Sequence, residues 1–487
     1  MGILSRVKSR ASEILVSQAL GLLGHAPERT YEALAKALRG IAVTEQHRMI
    51  ADWLIKWFSE GSPGSTWLRR VLRDLHPNVR KRYLAQMLTV VTFRHPESMA
   101  EYRRKYGFRP PSVMLVSPTM RCNYRCVGCY AANYTKKDDM PPELLDRILN
   151  EAKEITIRFV TVLGGEPFIY DHLFDILERH QDMAFQIFTN GALIDEKTAR
   201  RLAELGNAGI MVSLEGFAEE TDLRRGSGAF QRAIRAMEIL RDAGCLVGFS
   251  AVATRRNIDV LTSDEFVDML VDKGCLYGWI FLYMPVGHNP DPDLMPTPEQ
   301  RNQLRLANKR FRETKPILIA DFWNDAPLTG GCINGGRTYF HINHKGDVEP
   351  CIFIHFATDN IKEKSLVEAL NSPFFKALRR MQPFCYNTLR PCPIIDHPKI
   401  LRTVVRRFNA YPTHEGAESI LEGRIAEALD RYAQRVKEIF DPIWEEEYKW
   451  AERWEELMDF PEGRVATRRA GYLRRRAREK ALMATSS

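Results

Sequence analysis

The sequence contains no apolar run approaching the ~20 residues that a membrane span needs, so a helix crossing a bilayer is not expected. The first 25 residues alternate polar and apolar positions, and no secretory leader is expected either. No internal repeat or long low-complexity tract is present. Cysteine is too sparse for a disulfide-built protein, with nine in 487 residues. Seven of the nine fall in clustered motifs, which points to metal ligation in a reducing, cytoplasmic compartment. A basic stretch near the C-terminus lacks the aromatic interleaving that base stacking uses, so no nucleic acid partner is expected. What is present is globular in character: 45% hydrophobic and 27% charged residues, a net charge of +8, and enough length for more than one domain.

The chemistry concentrates in residues 112–134. An apolar run over 112–117 reads as a buried strand ended by Pro118. Cys122, Cys126 and Cys129 follow, spaced C-x3-C-x2-C. Three thiolates so close together can hold three irons of a [4Fe–4S] cubane and leave the fourth iron open. Zinc is the competing occupant, but it takes four closed ligands, and no fourth Cys or His lies nearby in sequence. Further strands are predicted at 157–162, 185–189, 209–214, 247–252 and 278–283, with helices at 142–154, 171–180, 195–205, 228–243 and 263–273. Six such β–α units imply a parallel sheet. Gly164-Gly165-Glu166-Pro167 follows the second strand, where paired glycines let a ligand approach the backbone. Thr189-Asn190-Gly191 follows the third, and Ser213-Leu214-Glu215-Gly216 ends the fourth. By strand alternation Ser213 and Glu215 point to the same side. Cys245 and Cys275, each alone before a strand, read as core.

The cysteine spacing resembles the signature of the radical S-adenosylmethionine (SAM) superfamily. That resemblance implies a partial (β/α)6 barrel with its chemistry at the C-terminal ends of the strands. It also implies SAM chelated by the open iron and cleaved to a 5′-deoxyadenosyl radical, with a flavodoxin or ferredoxin as electron donor. On it, Gly164, Gly165 and Glu166 bind the SAM amino group, Ser213 and Glu215 lie near the ribose, and Arg224 lies near the carboxylate, with Asn257 a further candidate. The family usually has an aromatic residue just before the third cysteine, beside the adenine. Here that residue is Gly128, and Tyr130 is the nearest replacement.

Downstream, Thr297-Pro298-Glu299-Gln300 starts a helix expected to run to about residue 314. Cys332, Cys351, Cys385 and Cys392 follow. The segments around Lys345-Gly346 read as a hairpin. Cys332 to Cys351 resembles the opening of the SPASM extension of radical SAM enzymes, shortened to four cysteines. The expectation is one auxiliary [4Fe–4S] cluster closed by all four, with zinc on the same ligands as the rival. The domains are expected at 1–105 (helical), 106–297 (barrel), 298–400 (auxiliary cluster) and 401–487 (helical with a basic tail). The basic amphipathic pattern of residues 1–24 and the basic run from Arg464 to Lys480 offer contacts to the inner face of a membrane. On those features, and on a weaker resemblance to radical SAM enzymes that join lipid tails, the leading substrate reading is a membrane lipid chain undergoing C–C bond formation. The alternatives are a maturase acting on a peptide or protein side chain, and an iron–sulfur electron carrier that binds no SAM.

Overall fold

The structure is a computed structural model that describes Pro27 and residues 29–40, 45–87, 96–131, 139–287 and 289–448. The amphipathic stretch 1–24 and the basic run 464–480 lie outside the described residues. No helix among the described residues is long and apolar enough to cross a membrane.

The core is the expected series of strands: β1 (Val113–Thr119), β2 (Phe159–Gly164), β3 (Ala184–Thr189), β4 (Ala208–Ser213), β5 (Leu246–Ala253) and β6 (Tyr277–Leu282). They pair in sequence order, all parallel. Helices fall between them because each intervening segment carries an apolar stripe and a usable start. Pro142 opens Pro142–Glu154, Asp195 caps Glu196–Leu205 through the Thr198 N–H (2.7 Å), and Ser263 caps Asp264–Asp272. The Thr297 capping box is formed, and its helix runs from Pro298 to Thr314.

Two features depart from the expectation. β1 continues past Pro118 to Thr119, because the register slips between Val116 and Thr119 and the proline sits in that irregularity, where no ladder N–H is demanded of it. The sheet also has nine strands rather than six. β7 (Leu318–Asp321) adds beside β6 in parallel, and β8 (Tyr339–Ile342) pairs in parallel with β1. β9 (Val348–Glu349) returns antiparallel to β8 around the expected Lys345-Gly346 turn. The order is β7-β6-β5-β4-β3-β2-β1-β8-β9. The cysteine-bearing region beyond residue 298 therefore contributes three strands to the barrel sheet. A second, two-stranded sheet pairs β10 (Phe356–Ala357) with β11 (Tyr411–Pro412).

The N-terminal segment closes one end. Val71, Leu75, Val79 and Tyr83 form a cluster with Phe159, Ala184, Leu246 and Leu276, which lie at or just before the starts of their strands. Trp67 donates its indole N–H to Leu276 O (2.7 Å), and Arg70 donates to Val271 O (2.9 Å) and Pro316 O (3.1 Å). These residues plug the N-terminal mouth of the barrel. The opposite mouth, at the strand C-termini, carries the motifs.

Candidate functional site

The loop after β1 presents Cys122, Cys126 and Cys129, and its neighbours fix its path. Val127 N–H donates to Arg224 O (2.9 Å), and Asn190 Nδ2 donates to Asn123 Oδ1 (2.7 Å). Gly165 N–H donates to Thr119 O (2.9 Å) and Glu166 N–H to Arg121 O (2.8 Å). A Cβ on Gly164 would come within 2.2 Å of Thr119 O, and one on Gly165 within 2.1 Å of Arg121 O. The paired glycines are thus required by the close approach of the cysteine loop's own backbone, a constraint that comes before any ligand contact.

Glu166 is buried. Its Oε1 accepts from Thr189 Oγ1 (2.7 Å) and Phe168 N–H (3.2 Å), and its Oε2 accepts from Asn190 N–H (2.8 Å). Burial raises its carboxyl above the usual range against these three donors. Thr189 and Asn190 carried no assigned role in the sequence, and the structure ties both to Glu166.

Ser213 and Glu215 do not face the same way. β4 ends at Ser213, so strand alternation does not extend to Glu215. Ser213 lines the central cavity, its Oγ 3.2 Å from Ser250 Oγ. Glu215 lies outside the cavity, fully buried, where it binds Arg224 and Arg225 and accepts from Val252 N–H (2.9 Å). Burial alone would raise the Glu215 carboxyl, but the two guanidiniums hold it below its ordinary value. Arg224 and Arg225 both line the cavity. Arg224 Nε is buried with no hydrogen-bond partner among the described residues, a spare donor that fits a carboxylate. Asn257 is also outside the cavity: its Nδ2 donates to Glu215 O (2.8 Å) and Val252 O (3.0 Å). It braces the ends of β4 and β5.

Gly128 has φ +66°, and a Cβ there would lie 2.4 Å from Tyr283 Cε2. The Tyr283 ring, at the end of β6, occupies the space beside Gly128 that a side chain would fill. Tyr130 packs edge-on against Phe353, ring centroids 5.5 Å apart. Both Tyr130 and Tyr283 line the cavity; sequence reasoning named Tyr130 and not Tyr283, because Tyr283 meets Gly128 across the barrel and no local motif joins them.

A cavity of about 440 Å³ runs through the barrel. Two groups of cysteines line it, Cys122, Cys126 and Cys129 from the loop after β1 and Cys332, Cys351 and Cys392 from the region beyond residue 298. Val113 and Phe159 line it next to the N-terminal plug. Between these the walls are apolar and aromatic. Phe281 stacks on Phe322 (5.3 Å) and lies within 6.0 Å of Phe188, and Phe353 joins Trp323 (6.5 Å). Asp321, the acid on this wall, is engaged by Trp323 N–H (3.1 Å) and Asn308 Nδ2 (3.3 Å), and burial raises its carboxyl to about 6. Its neighbour Asp325 pairs with Arg312 (2.7 Å).

Burial pushes the Cys122 and Cys351 thiols up to about 11 and Cys332 to about 12. Burial raises the core thiols Cys245 and Cys275 in the same way, so the clustering of the other cysteines, not the shift, distinguishes them. Backbone N–H groups already aim at the sulfurs: Tyr124 at Cys122 (3.4 Å), Phe353 at Cys351 (3.5 Å) and Ile394 at Cys392 (3.4 Å). Each cysteine group lining the cavity supplies three thiols, the donor type that an iron–sulfur cluster takes. Cys245 and Cys275 lie in the core.

Residues 116–270 match the radical SAM superfamily, and residues 332–393 match the SPASM iron–sulfur cluster-binding domain. The mycofactocin maturase MftC of Mycobacterium tuberculosis is 31% identical over 312 residues, covering 59% of this chain and 77% of that protein. MftC of Mycolicibacterium smegmatis is 29% identical, covering 70% of this chain and 90% of that protein. Streptococcus suis SuiB, solved bound to precursor peptide SuiA, is similar in fold, with a TM-score of 0.51 at 21% identity over 58% of this chain and 70% of that one.

Proposed function

The chain belongs to the radical SAM superfamily and is an enzyme with a SPASM iron–sulfur cluster-binding domain; from that premise we propose that it is a maturase that removes a hydrogen atom from an apolar side chain of a peptide or protein. A SAM-binding [4Fe–4S] cluster, SAM itself and an auxiliary iron–sulfur cluster come with that membership. In this reading Cys122, Cys126 and Cys129 hold the SAM-binding cluster, and Arg224 and Arg225 receive the SAM carboxylate. Glu166 fixes the loop that meets the amino group, and Tyr283 and Tyr130 flank the adenine. When bound, the cluster and SAM supply one electron and the deoxyadenosyl group that takes the hydrogen atom. The residues of the chain orient the reacting groups and keep water away.

The observation that carries the reading is the cavity, lined by two sets of cysteines with aromatic walls between them. Its wall carboxylates are already engaged, so it offers an entering group mainly dispersion and burial. The maturases among the relatives support a peptide over the lipid chain favoured by the sequence, and the segments behind the lipid reading lie outside the described residues. The lipid reading keeps one support: the apolar lining reaches Val113 and Phe159 at the plugged end, deep enough to receive a chain. An electron carrier without SAM would have no use for the Arg224 donor.

The test is anaerobic reconstitution with iron and sulfide, then SAM and reductant, with 5′-deoxyadenosine measured. Formation that disappears in Cys126→Ala supports the catalytic reading, and a fully loaded protein that makes none with any additive overturns it. Peptides bearing deuterated Val, Leu or Tyr side chains and vesicles of deuterated lipid are then compared. Deuterium in deoxyadenosine from the peptide supports the maturase, and deuterium from the vesicles alone replaces it with the lipid reading.

A further inference from the structure

Four cysteines in the SPASM region suggested a closed auxiliary cluster, but the structure separates them into three and one. Cys332, Cys351 and Cys392 all line the cavity, and Cys385 does not. The three are brought in from different elements. Cys332 follows the left-handed pair Gly330 (φ +67°) and Gly331 (φ +98°). Cys351 follows β9, its Sγ 2.9 Å from the Tyr339 hydroxyl on β8. Cys392 donates its N–H to Asp396 (2.9 Å), and Asp396 is held by the fully buried Arg301 (2.6 Å) of the helix Pro298–Thr314.

Cys385 belongs to a different network. Its Sγ accepts from Arg390 Nη2 (3.2 Å), and Arg390 Nε donates to Asp441 Oδ1 (2.9 Å). Asn387 Nδ2 donates to the same carboxylate oxygen (2.8 Å) and to Phe440 O (2.9 Å). Asp441 and Phe440 lie in the helix Gly423–Glu447, so Cys385 is tied to that helix.

We propose that the auxiliary cluster is held by Cys332, Cys351 and Cys392 alone, that Cys385 is a structural thiol bound to Arg390, and that one position of the cluster is left without a protein ligand, open to an exogenous oxygen or nitrogen donor. Three protein thiolates would leave one iron of a [4Fe–4S] cubane without a protein ligand. Such an iron would accept an oxygen or nitrogen donor from solvent or substrate. The inference rests on the SPASM assignment and is independent of whether the substrate is a peptide or a lipid.

The experiment removes the other cluster first. The full chain carrying Cys122→Ala, Cys126→Ala and Cys129→Ala is reconstituted anaerobically, its iron is counted, and the reduced cluster is recorded by EPR. Adding Cys385→Ala is expected to leave iron at about four per chain and the EPR signal in place, whereas Cys332→Ala, Cys351→Ala and Cys392→Ala each remove most of both. Cys385→Ser, which keeps a hydroxyl for Arg390, guards against a folding defect, and both variants are checked by circular dichroism. Loss of the cluster in folded Cys385→Ser overturns the proposal. Carbon-13 cyanide added to the reduced protein is expected to show a hyperfine coupling by ENDOR. No coupling in the parent, or coupling only after Tyr339→Phe, means the fourth site is closed by the protein and also overturns it.

Discussion

Two guanidiniums converge on one carboxylate beneath the cavity, and all three side chains lie deep in the protein: Glu215 is fully buried, and Arg224 and Arg225 are 13% and 11% exposed. Removing the carboxylate leaves two cations with no counter-charge. Glu215→Ala is expected to cost about 3–5 kcal/mol in anaerobic urea unfolding, within the range for breaking a buried pair. Arg224→Lys keeps the charge but loses the spare Nε donor, and is expected to weaken SAM binding about tenfold, the loss of one charge-assisted hydrogen bond, with iron content unchanged. The Gly128–Tyr283 contact gives a second residue-level test. Gly128→Ala places a methyl where the Tyr283 ring already lies, at a φ that disfavours it, and is expected to impair SAM binding. The double variant Gly128→Ala/Tyr283→Ala should recover part of the loss, and an additive result would mean the ring is not the obstacle. The sequence disclosed the cysteines and the glycine–glutamate turn because local spacing carries them. It could not disclose Tyr283, Asp321 or Arg225's share of Glu215, because those neighbours are set by how separate strands end.

Among the elements, the apolar strands and their alternation with helices were legible, because each strand of the barrel is a run of β-branched and aromatic residues between turn signals. The strands β7, β8 and β9 were not read as parts of that sheet, since four- and two-residue strands have no periodicity to betray their partner. The hairpin β8–β9 and the pair β10–β11 together bring His341, His355 and His414 into one buried group. His355 stacks on His414, rings 4.6 Å apart, and Thr413 N–H donates to His355 O (3.0 Å). Burial, then His414 and His341, lower His355 to about 3, and burial also lowers His414. The facing groups are Glu349, which binds His341 Nδ1 (2.5 Å) and Thr413, and Glu415, whose carbonyl meets His414 Nδ1 (2.9 Å). A histidine whose folded pKa is depressed binds fewer protons folded than unfolded. Its contribution is complete above the ordinary value near 6.5 and is lost as pH falls from there toward 3. His355 alone should remove about 2 kcal/mol between pH 7 and pH 5. Denaturant unfolding of the reconstituted protein at both pH values tests this. His355→Asn should flatten the dependence, and an equal slope in that variant would place the titration elsewhere.

At the scale of the whole molecule, the cavity is closed at one end by the N-terminal helices and framed at the other by both groups of cysteines, and a single sheet connects them. β1 carries the first cysteine loop at its end and pairs on one side with β2, on the other with β8. β8 in turn leads through β9 to Cys351. Ser117 on β1 also reaches across this junction to His341 on β8, Oγ to Nε2 2.7 Å, and His341 binds Glu349 on β9. The spacing of the two cysteine groups is therefore fixed by backbone pairing and a buried polar chain, with no flexible linker between them. It follows that the segment 106–297, which reads from its sequence as a self-contained barrel, lacks the strands that cover both of its edges. A fragment ending at residue 297 exposes the unpaired backbone of Val113–Val116 and of Tyr277–Ile280, two apolar edges of the kind that aggregate. Residues 1–297 are expected to be insoluble or to melt well below the full chain, with amides of β1 that exchange freely in the fragment and are protected in the intact protein. A soluble 1–297 with protected β1 amides and a full complement of SAM-cluster iron would mean that the barrel stands alone and that its union with the SPASM region is only a docking.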